Sequence, residues 1–236
     1  MCRTESIDPH IDLLALLAVL ENYILIKKDD FFPLYVKGSD IDLLVFDREE
    51  CVKRVVEYYN LQLAGEGELR IVDTSDHCHL DFLFDDTLDL RLDLIDNFDF
   101  FGNIAIKPAY LTKLFIDRHE IKYGGYAVWV PCPEDDLTLR YFEYLEWFDR
   151  RPDKIKHLEY ISAVQDHDLQ KRFFANTHCY IQFKRKTWQA SVPAGDRVQF
   201  RPESRHEALV GVMTGIRYLV SSSVRRYIAL ILRFKA

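Results

Sequence analysis

The stretch between residues 41 and 95 constrains the fold of this chain more than any other part of its sequence. It opens with a strongly apolar segment over residues 41–46, which predicts a buried strand. Helical periodicity follows over residues 48–60. Three further strand patterns come next, over residues 69–72, 79–84 and 88–95. One strand, one helix and three more strands predict a mixed β-sheet flanked by helices, which is an α+β fold.

The segments on either side extend this pattern. An Asp-Pro pair opens residues 8–21, whose apolar positions recur at helical spacing and predict a first helix. Residues 23–26 predict a short strand. Turn residues at 85–87 predict a hairpin between the last two strands of the sheet, and the Gly-Gly pair at 124–125 predicts a second hairpin.

From residue 133 onward the pattern becomes mostly helical. The first of these helices opens with Pro-Glu-Asp-Asp, which places acidic side chains where the helix dipole favours them. We therefore expect two domains, an α+β core over residues 1–130 and a mostly helical region over residues 131–236.

The charge of the chain is distributed unevenly. Of its 31 Lys and Arg side chains, 13 lie from residue 169 onward, whereas only three of its 38 Asp and Glu side chains lie there. A basic C-terminal tail of this kind binds an anionic membrane surface, the acidic half of its own chain or a partner, and these three alternatives stay open. No base-stacking motif accompanies the charge, which argues against nucleic acid as a partner.

Five widely spaced cysteines include no Cys-x-x-Cys pair, so we expect neither a disulfide framework nor a zinc site. His77 and His79 flank Cys78 but complete no metal-ligand spacing, and we interpret them as strand or turn residues. The first residues lack the pattern of a signal peptide, and no apolar run reaches the ~18 residues that span a bilayer. We therefore expect a cytoplasmic protein, at most peripheral to the inner face of the membrane.

The sharpest chemical feature is the segment KGSDIDLLV at residues 37–45. Asp40 and Asp42 are two residues apart on a strand, so their side chains project to the same face. Two like charges there are unfavourable unless a cation bridges them, and Mg²⁺ is bound by a few carboxylates, water and phosphate oxygens. Asp81 and Asp93, each flanked by apolar residues, are candidates for the third carboxylate of a two-metal site. Alternatively, these acids lie on a solvent-facing side of the sheet.

The segment GSDIDLLV resembles the second motif of the nucleotidyltransferase superfamily, in which a strand carries Asp-x-Asp just after a small-residue turn. Over residues 10–162 the layout is similar to uncharacterised nucleotidyltransferase-like proteins associated with bacterial capsule and surface-polysaccharide functions. There, segments like VWVPCPEDDLTLRYFEYLEW and DKIKHLEYI close the domain. The resemblance implies a polymerase-β-like nucleotidyltransferase fold. It also implies Mg²⁺-dependent transfer of a nucleoside monophosphate from an NTP to a hydroxyl or phosphate of a small acceptor, such as a sugar or polysaccharide precursor.

The resemblance also implies roles for the carboxylates. Asp40 and Asp42 bind Mg²⁺ with the triphosphate of the donor. Asp93 is the third acid, which holds a second Mg²⁺ or accepts the proton of the acceptor. We prefer Asp93 to Asp81 because its segment RLDLID is the more apolar of the two and comes last, and Asp81 stays the reserve.

A departure from the family pattern concerns the phosphate contacts. Gly38 and Ser39 form the expected small-residue turn, but Lys27 and Lys28 stand where the family has its first Gly-Gly or Gly-Ser motif. The two lysines bring positive charge to the phosphates without the close backbone approach of glycine. Lys154 is a further candidate to reach a phosphate, with a solvated helix face as its alternative. The departure supports a second hypothesis, a catalytically decayed module of the same fold that binds a partner or a glycan precursor.

Overall fold

A computed structural model of the chain describes residues 9–28, 31–63, 65–74 and 78–184. These residues divide into two compact units. The first unit takes the described residues up to Phe100 together with Leu111–Cys132, and the second takes Phe101–Tyr110 together with the described residues from Pro133. The basic C-terminal tail from residue 185 onward lies outside the described residues.

The described residues form six α-helices and nine strands. In chain order they are α1 (Leu13–Ala18), β1 (Tyr23–Leu25), β2 (Ser39–Val45), α2 (Arg48–Gln62), β3 (Glu68–Asp73), β4 (Cys78–Phe84), β5 (Thr87–Ile95), β6 (Ile104–Ile106), α3 (Pro108–Asp117), β7 (His119–Tyr123), β8 (Tyr126–Val130), α4 (Pro133–Trp147), α5 (Ile155–Ser162), α6 (His167–Tyr180) and β9 (Ile181–Phe183).

The main sheet of the first unit has five strands in the order β1-β2-β5-β4-β3. Strands β2 and β5 are parallel, whereas the other three neighbouring pairs are antiparallel. The sheet is therefore mixed, and with its helices it confirms the predicted α+β class. Asp85 and Asp86 connect β4 to β5 with φ angles of +50° and +58°, so the predicted hairpin is also confirmed.

Local capping determines where α1 and α2 begin. The side chain of Asp47 accepts a hydrogen bond from the Glu50 N–H at 3.0 Å, which starts α2 close to its predicted position. The prediction of a first helix over residues 8–21 was too long. Asp12 caps α1 by accepting from the Ala15 N–H at 3.0 Å, so the helix begins at Leu13 and ends at Ala18. The predicted cap Asp8 lies outside the described residues.

Alternating residues of the central strands pack with α1 and α2 in one apolar core. The strand residues of this core include Leu43, Leu80, Leu90, Leu92 and Leu94, and the helix residues include Leu16, Leu17 and Val55. Because side chains alternate between the two faces of a strand, the residues between these leucines project to the opposite face. That second face carries the acids of the KGSDIDLLV segment.

The second unit contains α4, α5, α6 and the antiparallel pair of β6 and β9. Leu137, Ile161 and Phe173, one from each helix, form a small buried core. The helical character that the sequence predicts from residue 133 is confirmed up to α6. Strands β6 and β9 and helix α3 were not predicted. No helix in the described segments is both long enough and apolar enough to cross a bilayer.

Candidate functional site

Two rows of polar side chains cross the face of the main sheet that lies opposite α1 and α2. In the first row, Asp42 of β2 is directly opposite Asp93 of β5, which is opposite His79 of β4. In the second row, Asp40, Arg91 and Asp81 occupy the same three strands in the same order. Residues in register on neighbouring strands project to the same face. The structure therefore places Asp40, Asp42 and Asp93 on one face of the sheet.

The first row is bounded by a basic group at each end. The Nζ atom of Lys27 is 2.6 Å from Oδ2 of Asp42, and Nδ1 of His79 is 3.3 Å from Oδ1 of Asp93. All four side chains are about one quarter exposed, so the row is open to a ligand without being fully solvated. Its charges can therefore attract an ion or a phosphate more strongly than fully exposed groups can.

Lys27 reaches Asp42 from an unusual backbone position. It is the second residue after β1 and has a φ angle of +53°, in the left-handed region that costs a non-glycine residue roughly 1–2 kcal/mol. The preceding Ile26 N–H donates to the Asp42 carbonyl at 3.0 Å, which anchors the turn. Lys27 thus adopts a conformation that glycine adopts freely.

The second row is held by a bidentate ion pair. Arg91 donates from Nε and Nη2 to the two carboxylate oxygens of Asp81, at 2.6 and 2.9 Å. This hydrogen bonding holds the pKa of the Asp81 carboxyl below its usual value. It also raises the pKa of Arg91, and the charges of Asp40 and Asp93 act in the same direction. Asp81 is only 6% exposed, and both of its carboxylate oxygens bind Arg91. Its role within the fold is therefore to stabilise the pairing of β4 with β5.

Replacing Asp81 by Asn is expected to lower the free energy of unfolding at pH 7 by about 1–3 kcal/mol, because a nearly buried charged hydrogen bond is lost. Since the folded-state pKa of Asp81 is lowered from 3.8, the pair contributes fully above about pH 4 and loses its contribution as the pH falls through that lowered pKa. Chemical denaturation of both proteins at pH 7 and pH 3 measures the difference. Asp85→Asn, in the exposed β4–β5 turn, is the control. A difference that stays constant between the two pH values contradicts the assignment.

Gly38 and Ser39 form the turn that leads into β2. Gly38 has a φ angle of +82°, and its N–H donates to the Asp89 carbonyl at 2.8 Å. The Ser39 N–H donates to the Val36 carbonyl at 3.0 Å. Both amides are thus used within the fold, so the structure gives Gly38 a turn-forming role and does not present these two N–H groups to a phosphate.

The remaining lysines lie in different surroundings. Lys28 is half-buried beside Lys27. Lys154 belongs to the second unit, where its ammonium group contacts Glu143, and Nε2 of His157 is 3.3 Å from Oε2 of the same carboxylate. The Lys154 side chain is mostly buried, so it does not lie on the solvated helix face that was its alternative interpretation.

The carboxylates of the polar face suit Mg²⁺ in their chemistry, since Asp40, Asp42 and Asp93 offer the hard oxygen ligands that this ion prefers. Among the residues that the structure describes, no three His, Cys, Asp or Glu side chains are grouped closely enough to hold a metal ion. Instead, the Lys27 ammonium provides positive charge beside Asp42. The donor set therefore fits a divalent cation in kind, and a cation at Asp42 would compete with the Lys27 ammonium for that carboxylate.

His79 is a member of the site that sequence reasoning missed. The sequence suggested only a strand or turn residue, because no metal-ligand spacing surrounds it. The structure places it opposite Asp93 across the β4–β5 hairpin. No signal in the sequence could have found it, because counting outward from the β4–β5 turn pairs His79 with Leu92, and only the register shift between Phe82 and Leu83 places it opposite Asp93.

Comparisons with known proteins give structural likenesses only. No protein-family model matches the chain, and no curated protein matches it. An antigenic nucleotidyltransferase-like protein from Paracoccidioides brasiliensis is 14% identical with a TM-score of 0.36, covering 70% of this chain and 86% of its own. The nucleotidyltransferase toxin MenT4 from Mycobacterium tuberculosis is 12% identical with a TM-score of 0.41, covering 91% and 84%. The protein JHP933 from Helicobacter pylori is 9% identical with a TM-score of 0.32, covering 94% and 92%.

Proposed function

We propose that this chain is a Mg²⁺-dependent nucleotidyltransferase that moves a nucleoside monophosphate from an NTP to a hydroxyl or phosphate of a small molecule. The observation that carries the proposal is the parallel register of β2 and β5. It places Asp42 directly opposite Asp93, with Asp40 two residues away on the same face. Carboxylates on one face of a sheet supply the type of ligand that this chemistry uses to hold metal ions, and to bind one together these three would have to move closer to each other than they are in the structure.

In the proposed reaction, the chain contributes mainly positioning and charge. Asp40, Asp42 and Asp93 would hold Mg²⁺, and the ion would neutralise charge on the triphosphate during transfer. The acceptor oxygen attacks the α-phosphorus in line, a new P–O bond forms, and the bond to the leaving pyrophosphate breaks. Asp93 either completes the metal ligands or accepts the proton of the acceptor hydroxyl.

Lys27 has a specific part in this proposal. Without ligand its ammonium neutralises Asp42 at 2.6 Å. A divalent cation at Asp42 would compete with Lys27 for the carboxylate, and the Lys27 ammonium would then pair with a phosphate oxygen of the donor, as a compact point charge can. Lys28, next along the chain, supplies a second positive charge. The two lysines thus replace the phosphate contacts that glycine amides make elsewhere in the superfamily.

The sequence supports two further parts of the proposal, the kind of acceptor and the place in the cell. The resemblance to proteins of capsule and surface-polysaccharide loci suggests a sugar or polysaccharide precursor as the acceptor. The concentration of Lys and Arg after residue 169 suggests an anionic membrane surface or a partner as the contact of the tail. With these features we propose a cytoplasmic enzyme that works at or near the inner face of the membrane.

Calorimetric titration of each of the four NTPs into the protein tests this function. With Mg²⁺ present we expect at least one NTP to bind, and we expect binding to be lost when EDTA replaces the ion, because three facing carboxylates repel an unmetallated triphosphate. Asp40→Asn/Asp42→Asn is expected to lose binding as well. The matched control Asp85→Asn removes an acid of the same unit and is expected to bind like the unmodified protein. NTP binding that needs neither Mg²⁺ nor the two acids contradicts the proposal.

A second candidate is a non-catalytic binding module of the same fold. It is favoured by the Lys27–Asp42 ion pair and by the Gly38 and Ser39 amides, which already donate within the fold. The same titration separates the two candidates. A module without catalysis gives no Mg²⁺-dependent NTP binding, and an assay of glycan or protein binding then replaces the assay of transfer.

A further inference from the structure

Arg91 is a cation within the polar face whose hydrogen-bond donors are only partly used by its ion pair. It lies on β5 between Asp40 and Asp81, and two residues before Asp93 on the same strand. The pair with Asp81 takes one edge of the guanidinium, formed by Nε and Nη2. A guanidinium has five N–H groups in a fixed plane, so the pair leaves both N–H groups of Nη1 and the second one of Nη2. We call these three N–H groups the outer edge of Arg91.

The Arg91 side chain is oriented by the fold and partly open to solvent. It is 34% exposed, and among the described residues only Asp81 accepts hydrogen bonds from it. Because both oxygens of Asp81 hold the guanidinium plane, little side-chain entropy is left to lose when a ligand binds. Two parallel N–H groups of an arginine match two oxygens of a phosphate. The outer edge is therefore an oriented set of donors for a phosphate group.

The acids beside Arg91 determine when an anion can bind to it. Asp40 and Asp93 lie next to Arg91 on the polar face, and their charges act on its guanidinium. Without a cation, these two acids repel a phosphate. In the proposed function the same two acids hold Mg²⁺, so their charges would be compensated. A phosphate is therefore expected to bind to the outer edge only when Mg²⁺ is present.

Arg91 and Lys27 lie on opposite sides of the acids of β2. Lys27 follows β1 and contacts Asp42 from that side, whereas Arg91 is on β5, the other neighbour of β2. Neighbouring strands are about 4.8 Å apart, so β1 and β5 are roughly 10 Å apart. In-line transfer places the leaving pyrophosphate and the attacking oxygen on opposite sides of the α-phosphorus. With the donor phosphates at Lys27, the attacking group approaches from the side of Arg91.

From this geometry we infer that the outer edge of Arg91 binds a phosphate group of the acceptor, and that the acceptor is a phosphate monoester. The inference rests on the proposed function and narrows its acceptor from a hydroxyl or phosphate to a phosphate. An oxygen of that phosphate attacks the α-phosphorus, a P–O–P linkage forms, and the bond to pyrophosphate breaks with its electron pair on the leaving group. At neutral pH a phosphate monoester is mostly a dianion. Its attacking oxygen then carries no proton, and Asp93 is needed only as a metal ligand.

Binding of methyl phosphate, the simplest phosphate monoester, tests the inference. It is titrated with Mg²⁺ into protein saturated with the α,β-methylene analogue of the NTP that binds, which cannot transfer its nucleotide, and phosphorus NMR follows the bound probe. We expect the unmodified protein to bind methyl phosphate. Arg91→Lys is expected to weaken that binding by about 10-fold or more, because an ammonium paired with Asp81 has no outer edge. Its affinity for the NTP is expected to stay unchanged.

Arg54→Lys is the matched control. Arg54 is 38% exposed and pairs through Nε with Glu50 at 2.7 Å, but it lies on α2, on the other face of the sheet. The control is expected to leave both affinities unchanged. Equal binding of methyl phosphate by Arg91→Lys and the unmodified protein overturns the inference and leaves the proposed function standing. Absence of methyl phosphate binding to the unmodified protein does the same, with a hydroxyl as the acceptor.

Two other results separate the inference from the proposed function. An equal loss of NTP binding in Arg91→Lys assigns the outer edge to the donor phosphates and overturns the acceptor assignment. If the unmodified protein binds none of the four NTPs, the inference and the proposed function are overturned together. Thermal melting shows that each variant is folded. The guanidinium NMR signals of Arg91 in the unmodified protein give a readout that needs no variant, and signals that methyl phosphate leaves unchanged also overturn the inference.

Discussion

Replacing Asp93 by Asn is expected to lower the rate of nucleotidyl transfer by about 10²–10³-fold or more, as the loss of a group that stabilises a charged transition state does. The amide keeps the shape of the side chain but carries no negative charge for a metal ion and cannot accept a proton from the acceptor. The fold is expected to stay intact. Asp93 is partly exposed and lies opposite another acid, Asp42, so removing its charge also relieves repulsion on this face.

The matched comparison is Asp81→Asn, which removes the same charge from the same face. Because Asp81 is bound to both donor atoms of Arg91, its replacement is expected to reduce stability and to leave transfer measurable at a temperature where the variant is folded. Steady-state release of pyrophosphate from the NTP that binds gives both rates, and circular dichroism gives the folded fraction. The opposite result, an active Asp93→Asn and an inactive but folded Asp81→Asn, identifies Asp81 as the third carboxylate.

Replacing Glu146 by Ala is expected to give a large loss of stability, about 3–5 kcal/mol, since a buried charged acceptor of several hydrogen bonds is removed. Glu146 is 2% exposed at the end of α4. Its carboxylate accepts from three successive backbone amides, those of Gly102 and Asn103 at 2.8 Å and that of Ile104 at 3.1 Å. Without it, the amides that begin β6 lose their acceptor.

The effect of Glu146→Ala is measurable by urea denaturation together with hydrogen exchange of the amides of residues 103 and 104. Both readouts are expected to change, because the carboxylate and these amides form one network. Glu159→Ala, at an exposed position of α5, is the control and is expected to stay within about 0.5 kcal/mol of the unmodified protein. Unchanged exchange at residues 103 and 104 contradicts the role assigned to Glu146.

Some parts of the fold are predictable because their signals are local. Helix α2 is predictable from the Asp47 cap, the acidic residues in its first turn and the helical spacing of its apolar residues. The β4–β5 hairpin is predictable from Asp85 and Asp86, because aspartate tolerates the left-handed backbone conformation that the turn needs. The KGSDIDLLV segment places two acids on one side of β2 by strand periodicity alone.

Other elements escape prediction because tertiary contacts define them. Strands β6 and β9 have three residues each and exist as a pair, with Ile104 opposite Phe183, which is too short a pattern to recognise locally. The burial of Glu146 also depends on tertiary contacts. The sequence of α4 predicts an amphipathic helix and gives no sign of a buried acid. The backbone of residues 102–104 supplies the donors that make a buried carboxylate favourable there.

For the candidate site, the sequence by itself determined which acids share a strand, and the tertiary structure decided which acids share a site. The hairpin turn alone would pair His79 with Leu92. A register shift at Phe82 and Leu83 places His79 opposite Asp93 instead. A shift of one residue moves side chains to the other face of a sheet. The parallel pairing of β2 with β5 then places Asp93 beside Asp42. Both pairings join residues distant in the chain, so local periodicity carries no information about them.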